Sequence, residues 1–262
     1  MYPHHQRTTE NLLRLFEGNR DVLAIILGGS VAKGLERPDS DVDAIVVITD
    51  ERYADLAKEN RLSECITEGC DYQGGYFDLK YCTKDYLRAV AERGSEPSRN
   101  AFVCAKCLFS SDEEITQLVP QIGMFQRAEK ADKMLSFYSA LALNHGYFWD
   151  ASEDNLYLRI RAAADIVLFG YRLLLQDSEI LFPCHKALSQ TVMRMENKPE
   201  GIGEKEHNLL TRLDDESKKA FIDAILGAID YAPPQDWSLI LTRYIDDNEQ
   251  WWYKNRPVIA EW

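Results

Sequence analysis

Residues 22–47 read VLAIILGGSVAKGLERPDSDVDAIVV, and the order of residue types in them decides the fold. Six uninterrupted apolar residues, Val22 to Leu27, stop at Gly28-Gly29. A short apolar run ended by glycine is the pattern of a strand buried on both faces. A polar, exposed segment follows, and Asp41-Val42-Asp43 opens a second β-branched run, Asp43–Thr49 (DAIVVIT). Upstream, residues 8–18 (TTENLLRLFEG) place Leu12, Leu13, Leu15 and Phe16 along one helical side, with Thr8 or Thr9 as the expected N-cap. Downstream, a helix is expected across Glu51–Asn60, and Gly74-Gly75 precedes a third strand over Tyr76–Cys82 (YFDLKYC). Thr83 then caps a helix to about Glu92, and Phe102–Phe109 reads as a fourth strand. The head is therefore an α/β (α+β) domain with a mixed sheet.

After residue 112 the pattern turns almost wholly helical. Ala128–Trp149, Asp154–Gln176, Pro183–Glu196 and Glu216–Tyr231 each repeat apolar residues every three or four positions. Asp154–Gln176 is apolar over most of its circumference, as the central helix of a bundle would be. Pro183 suits the first turn of the next helix, and Pro233-Pro234 marks a break before the last. The expected division is a head over 1–111 and an α-helical bundle over 112–262, with a cleft between them as the ligand site.

Composition narrows the function classes. The chain has 262 residues, 45% hydrophobic and 28% charged, an ordinary globular balance that excludes a disordered or fibrous protein. Thirty Lys+Arg against 43 Asp+Glu give a formal net charge of −13. A general nucleic-acid binder needs a basic face to displace counterions from phosphates, and no Lys/Arg-rich run exists here, so DNA, RNA and anionic membranes are not expected partners. The longest apolar stretches are far short of the ~20 residues of a membrane helix. MYPHHQRTTE carries no secretory signal, which points to a cytoplasmic protein. Six cysteines at irregular spacing do not make a disulfide scaffold.

The chemistry is concentrated in the opening stretch. Gly28 and Gly29 let the backbone pass close to a bulky anion. The Ser30 hydroxyl and nearby N–H groups can then hold phosphate oxygens. Asp41 and Asp43 are two residues apart in a strand, so their side chains share a face. Bare carboxylates that close repel, and a divalent cation removes the conflict; hard Mg²⁺ takes such oxygens together with substrate phosphates. Asp78 joins them if its strand is adjacent in the sheet, and three carboxylates can hold two Mg²⁺ ions for in-line phosphoryl displacement.

The order strand, Gly28-Gly29-Ser30, ten residues, Asp41-x-Asp43, apolar strand and a later acidic strand resembles the nucleotidyltransferase superfamily that includes DNA polymerase β. The layout of small head and helical domain is most similar to bacterial small-molecule nucleotidyltransferases of the aminoglycoside-adenylyltransferase kind. The resemblance implies that Gly28, Gly29 and Ser30 contact the β- and γ-phosphates of an NTP, ATP being favoured. It implies that Asp41, Asp43 and Asp78 are the catalytic, metal-holding carboxylates. It further implies transfer of a nucleoside monophosphate, AMP first, to a hydroxyl of a small acceptor with release of pyrophosphate. The negative charge of the chain suits a cationic acceptor. Alternatives are a protein-modifying nucleotidyltransferase and a non-catalytic, antitoxin-like nucleotide-binding module.

Outside that motif the assignments are two-sided. Lys33 is placed to approach a phosphate, and so is Lys186 across the cleft, although a solvated lysine fits either position. Arg161, Asp165 and Arg172 lie on one stripe of the central helix and are expected to form an internal ion-pair set. Asp154 is the expected cap of that helix. Cys104-Ala-Lys-Cys107 has zinc-like spacing without a second ligand pair and is expected to be core. Trp237, Trp251, Trp252, Tyr253 and Trp262 are expected to anchor the last helix to the bundle or to a second subunit of a homodimer. His145 and His185 are expected to be structural, and His4-His5 carries no readable role.

Overall fold

The computed structural model describes residues 1–262. They pack as two units, Met1–Met124 and Phe125–Trp262.

The first unit is built on a five-stranded mixed sheet, β1 (Val22–Leu27), β2 (Val42–Ile48), β3 (Ser63–Ile66), β4 (Phe77–Cys82) and β5 (Lys106–Ser110), in the order β3-β4-β2-β1-β5. β1 is antiparallel to β2 and β5, β3 is antiparallel to β4, and β2 and β4 run parallel. The two apolar runs flanking the glycines take central positions because only there are both faces covered. Ile25 and Leu27 pack on one face with Leu12 of α1 (Pro3–Leu15), while Ala24 and Ile26 pack on the other. That second face is covered by α4 (Lys84–Arg93) and α6 (Glu113–Ile122) through Leu87, Val90, Ile115 and Val119. Each such fully buried side chain contributes about 1.5–3 kcal/mol.

Local signals placed most of these elements. Thr49 caps α3 (Asp50–Lys58) and Thr83 caps α4, each hydroxyl accepting from the N–H three residues on. Thr8 and Thr9 do not cap α1. The helix starts at Pro3, whose missing N–H costs nothing in a first turn, so Thr8 is buried mid-helix and Thr9 donates back to the His5 carbonyl. The expected fourth strand is shorter, Lys106–Ser110, and α5 (Glu96–Asn100) precedes it; the four-residue edge strand β3 was not foreseen. Between β1 and β2 lies the one-and-a-half-turn helix α2 (Gly29–Lys33), closed by Gly34 in the left-handed region.

The second unit is helical: α7 (Lys130–Leu143), α8 (Leu156–Asp177), α9 (Leu188–Arg194), α10 (Ile202–Arg212), α11 (Asp215–Leu226), α12 (Trp237–Tyr244) and α13 (Trp251–Lys254). α8 is the central helix, buried without a break from Ile166 to Gln176. Its cap is Asn155, which accepts from Leu158 N–H at 3.0 Å, and not Asp154. Pro183 stands before the turn His185–Ala187 that leads into α9, outside the helix itself.

Three further expectations change here. Arg161 pairs with Asp165 at 2.6 Å, but Arg172 does not join them. It is fully buried, with the rings of Phe137 and Phe182 each 4.2 Å from its guanidinium, and it donates to the carbonyls of Ala260 and Trp262. Of the C-terminal aromatics, only Trp262 packs on the core, within reach of Lys133, Arg243 and Arg256, whereas Trp237, Trp251, Trp252 and Tyr253 are exposed and do not anchor the last helix to the bundle, the first of the two roles expected of them. Cys104 is exposed in the turn before β5 at φ +58°, so it is not a core residue, and all six thiols are free. No helix is long and apolar enough to cross a membrane.

Candidate functional site

The candidate site lies in the first unit, where β1 ends and β2 and β4 begin. β2 and β4 are parallel and in register so that Asp43 stands directly beside Asp78. Asp41 lies two residues before Asp43, and strand alternation turns it to the same face. The carboxylate oxygens of Asp41, Asp43 and Asp78 lie within 4.8 Å of one another, all half-buried. The sheet thus brings together three acids spread over 38 positions of sequence.

The glycine turn is fitted against this cluster. Gly28 N–H donates to the Asp43 carbonyl at 3.0 Å, tying the end of β1 to β2. Gly29 has φ +62°, and a Cβ built there would lie 1.7 Å from Asp43 Oδ2. Only glycine satisfies both the backbone and the space. At Gly28 a Cβ would meet the Ala101 carbonyl at 3.2 Å, tighter than ordinary contact. Ser30 follows in α2, half-buried beside the turn.

Side chains around the triad hold it in place. Hydrogen bonding toward the Asp41 carboxylate, together with the carboxylate charge, pushes the Tyr76 phenol pKa up to about 12. Val42 N–H donates to the Tyr76 carbonyl at 3.0 Å, so Tyr76 grips the residue after Asp41 as well. Tyr72 donates from its hydroxyl to the Ser40 carbonyl at 2.6 Å, and burial, then the charges of Cys70, Asp41 and Asp71, lift its pKa to about 12. On the far side of Asp78, Cys65 of β3 is its cross-strand partner, and the thiol is exposed. Tyr76 and Cys65 were missed in the sequence, although Tyr76 shares strand alternation with Asp78; nothing local marks Tyr72.

The two lysines fare differently. Lys33 Nζ donates to Asn100 Oδ1 at 2.6 Å, against α5. Lys186 is exposed in the single turn His185–Ala187 of the second unit. A cavity of about 1010 Å³ in the first unit is not this site. It opens at the other end of β1, among Leu13, Phe16, Val22, Ile25, Leu108 and Phe109, and holds none of the three aspartates.

Chemically, three hard carboxylate oxygens at this separation fit a divalent cation, and the Cβ-free turn beside them leaves a close approach for an anionic group. Residues 8–90 match the family model described as the nucleotidyltransferase domain. No curated protein matches the sequence. Among solved structures, the chain is similar to a nucleotidyltransferase-like protein from Exiguobacterium sibiricum. The two share 13% identity, with 92% of this chain and 76% of that one covered and a TM-score of 0.46.

Proposed function

We propose that this chain, whose residues 8–90 match the nucleotidyltransferase domain model, transfers a nucleoside monophosphate, AMP in the first instance, from an NTP to a hydroxyl of a small acceptor, releasing pyrophosphate. The observation that carries the reading is the convergence of Asp41, Asp43 and Asp78 beside the turn at Gly28-Gly29. The three carboxylates are the residues that would hold two Mg²⁺ ions. When bound, these ions would neutralise triphosphate charge and make the acceptor hydroxyl more acidic.

The remaining work falls to the chain itself. Gly28 and Gly29 admit the β- and γ-phosphates, and Ser30 offers them its hydroxyl together with backbone N–H groups. Tyr76 holds the entry to β2 through its carbonyl, which accepts from Val42 N–H at 3.0 Å, directly after Asp41. Lys33, on the same short helix as Ser30, supplies positive charge near the turn. The net charge of −13 favours a cationic acceptor.

The test is thermal stability with each of the four NTPs, with and without Mg²⁺, for the wild type and Asp41→Asn/Asp43→Asn. A ligand at 100 times its dissociation constant adds about 2.7 kcal/mol. The expected result is a Mg²⁺-dependent rise in Tm, largest with ATP, that the double variant loses. No rise with any NTP would overturn the reading. Pyrophosphate release against a panel of hydroxylated small molecules, cationic ones first, then tests the acceptor class.

A further inference from the structure

The peptide unit that leads into Asp41 is gripped from two directions. The Ser40 carbonyl accepts from Tyr72 Oη at 2.6 Å and from His5 Nε2 at 3.0 Å. That carbonyl belongs to the same planar unit as the Asp41 nitrogen, so fixing it fixes the plane from which the Asp41 side chain departs. The neighbouring loop carbonyl, Pro38, accepts from His4 Nε2 at 2.9 Å. His5 is fully buried, and its ring meets Tyr72 edge-on at 5.0 Å, while His4 lies 4.5 Å from the same ring. Both histidines belong to the first turn of α1, whose Leu12 is seated in the core under the sheet. A helix anchored on the sheet therefore reaches back over the loop that delivers Asp41.

The loop needs such a hold. Within itself the stretch from Gly34 to Asp41 makes local turns, Leu35 N–H to the Ser30 carbonyl at 2.9 Å, Ser40 N–H to the Arg37 carbonyl at 3.1 Å and Arg37 N–H to Ser40 Oγ at 2.9 Å, with an exposed Arg37–Asp39 pair. An exposed pair of that kind contributes little. Its other holds come from the start of the chain, where the Met1 ammonium pairs with Glu36 at 3.1 Å beside the His4 and His5 contacts. Asp43 is held by the sheet register and Asp78 likewise, whereas Asp41 lies just outside β2. Its direction depends on Tyr76 after it and on His5 with Tyr72 before it.

We infer that His5 and Tyr72 are positioning residues for Asp41, setting the affinity of the carboxylate triad for divalent cations without touching the cation or the nucleotide. The inference rests on the reading of the triad as a metal site. Groups that orient metal ligands typically account for 10- to 100-fold in metal affinity, and the loss expected here is at the lower end because the Tyr76 contacts remain.

The experiment measures Mn²⁺ affinity from the electron paramagnetic resonance signal of the free ion. It uses the full chain as wild type, His5→Leu, His5→Gln, Tyr72→Phe and Leu87→Ala. Amide hydrogen exchange over residues 36–42 is followed in the same proteins without metal. His5→Leu and Tyr72→Phe should each weaken Mn²⁺ binding about tenfold and speed exchange at Ser40 and Val42, whose N–H groups donate to the Arg37 and Tyr76 carbonyls. His5→Gln keeps an N–H donor and should restore both. Leu87→Ala, in α4 on the opposite face of the sheet, lowers stability without touching α1 and should leave Mn²⁺ affinity at its wild-type value, which a loss through general destabilisation would not allow. Wild-type affinity in His5→Leu, or an equal loss in Leu87→Ala, overturns the inference. If the wild type binds no Mn²⁺, the metal reading falls, and unchanged exchange at Ser40 and Val42 in His5→Leu overturns the clamp separately.

Discussion

Gly29→Ala tests the turn and the aspartates in one substitution. The backbone at Gly29 is left-handed, φ +62°, and there an L side chain costs roughly 1–2 kcal/mol. The added Cβ would also sit 1.7 Å from Asp43 Oδ2, 2.4 Å from its Cγ and 2.7 Å from its Cβ. Rotating the carboxylate away relieves the first two contacts but not the third, so the turn or the start of β2 must move. Forced overpacking of this kind costs about 1–3 kcal/mol more. Gly18→Ala separates the two effects, because Gly18 has φ +74° with nothing within 4 Å of the new carbon. The expected losses are about 1–2 kcal/mol for Gly18→Ala and about 2–5 kcal/mol for Gly29→Ala. Both can be read from urea unfolding of the full chain. Mn²⁺ titration of the same samples should show wild-type affinity in the first and a loss of more than tenfold in the second. Equal destabilisation by both variants, with Mn²⁺ affinity kept in Gly29→Ala, would refute the fit of the turn against Asp43.

Two other outcomes follow from single environments. Burial, with Lys218 as a second cause, holds the His145 pKa below its ordinary value, against a backbone hydrogen bond and then Asp150. The unfolded chain therefore takes up a proton first, and stability present above about pH 6.5 is lost as pH falls toward the depressed folded value. His145→Gln should flatten Tm between about pH 7 and pH 5 relative to wild type; superimposable profiles would show that His145 is not the group responsible. Cys65, exposed and directly beside Asp78 across β3 and β4, should when alkylated by N-ethylmaleimide weaken Mn²⁺ binding, and Cys65→Ser should be immune. Exposed Cys104 serves as the internal control, and complete Cys65 alkylation with unaltered affinity would contradict the placement.

The central strands could be read from the sequence because their signal is local: uninterrupted β-branched runs bounded by glycine and by Asp-x-Asp. β3 could not, since Ser63, Glu64, Cys65 and Ile66 alternate exposed and half-buried on a sheet edge and have little apolar content. α1 was started late because Thr8 and Thr9 resemble caps, while Pro3 at the true first turn is five residues away. α10 was missed because only Ile202 and Leu209 of its eleven residues are buried. In the site, Asp41 and Asp43 were legible from strand periodicity, and Asp78 became so once its strand was placed beside theirs. His5 and Tyr72 were not, because their partner is a backbone carbonyl more than 30 residues away, 35 from His5 and 32 from Tyr72. A side chain that acts on a distant peptide unit leaves no spacing to read.

The buried guanidinium of α8 has a bearing on the order in which the chain acquires its shape. Arg172 donates to carbonyls 88 and 90 residues further along, whereas the head closes its cores within Met1–Met124. During synthesis the head can therefore consolidate early, but the second unit cannot complete the surroundings of that charge until residues 260–262 have left the ribosome. Any polypeptide that stalls in between carries a finished head joined to a bundle with its central cation still unsettled. Such a chain is the form of this protein that chaperones and proteases are best placed to recognise.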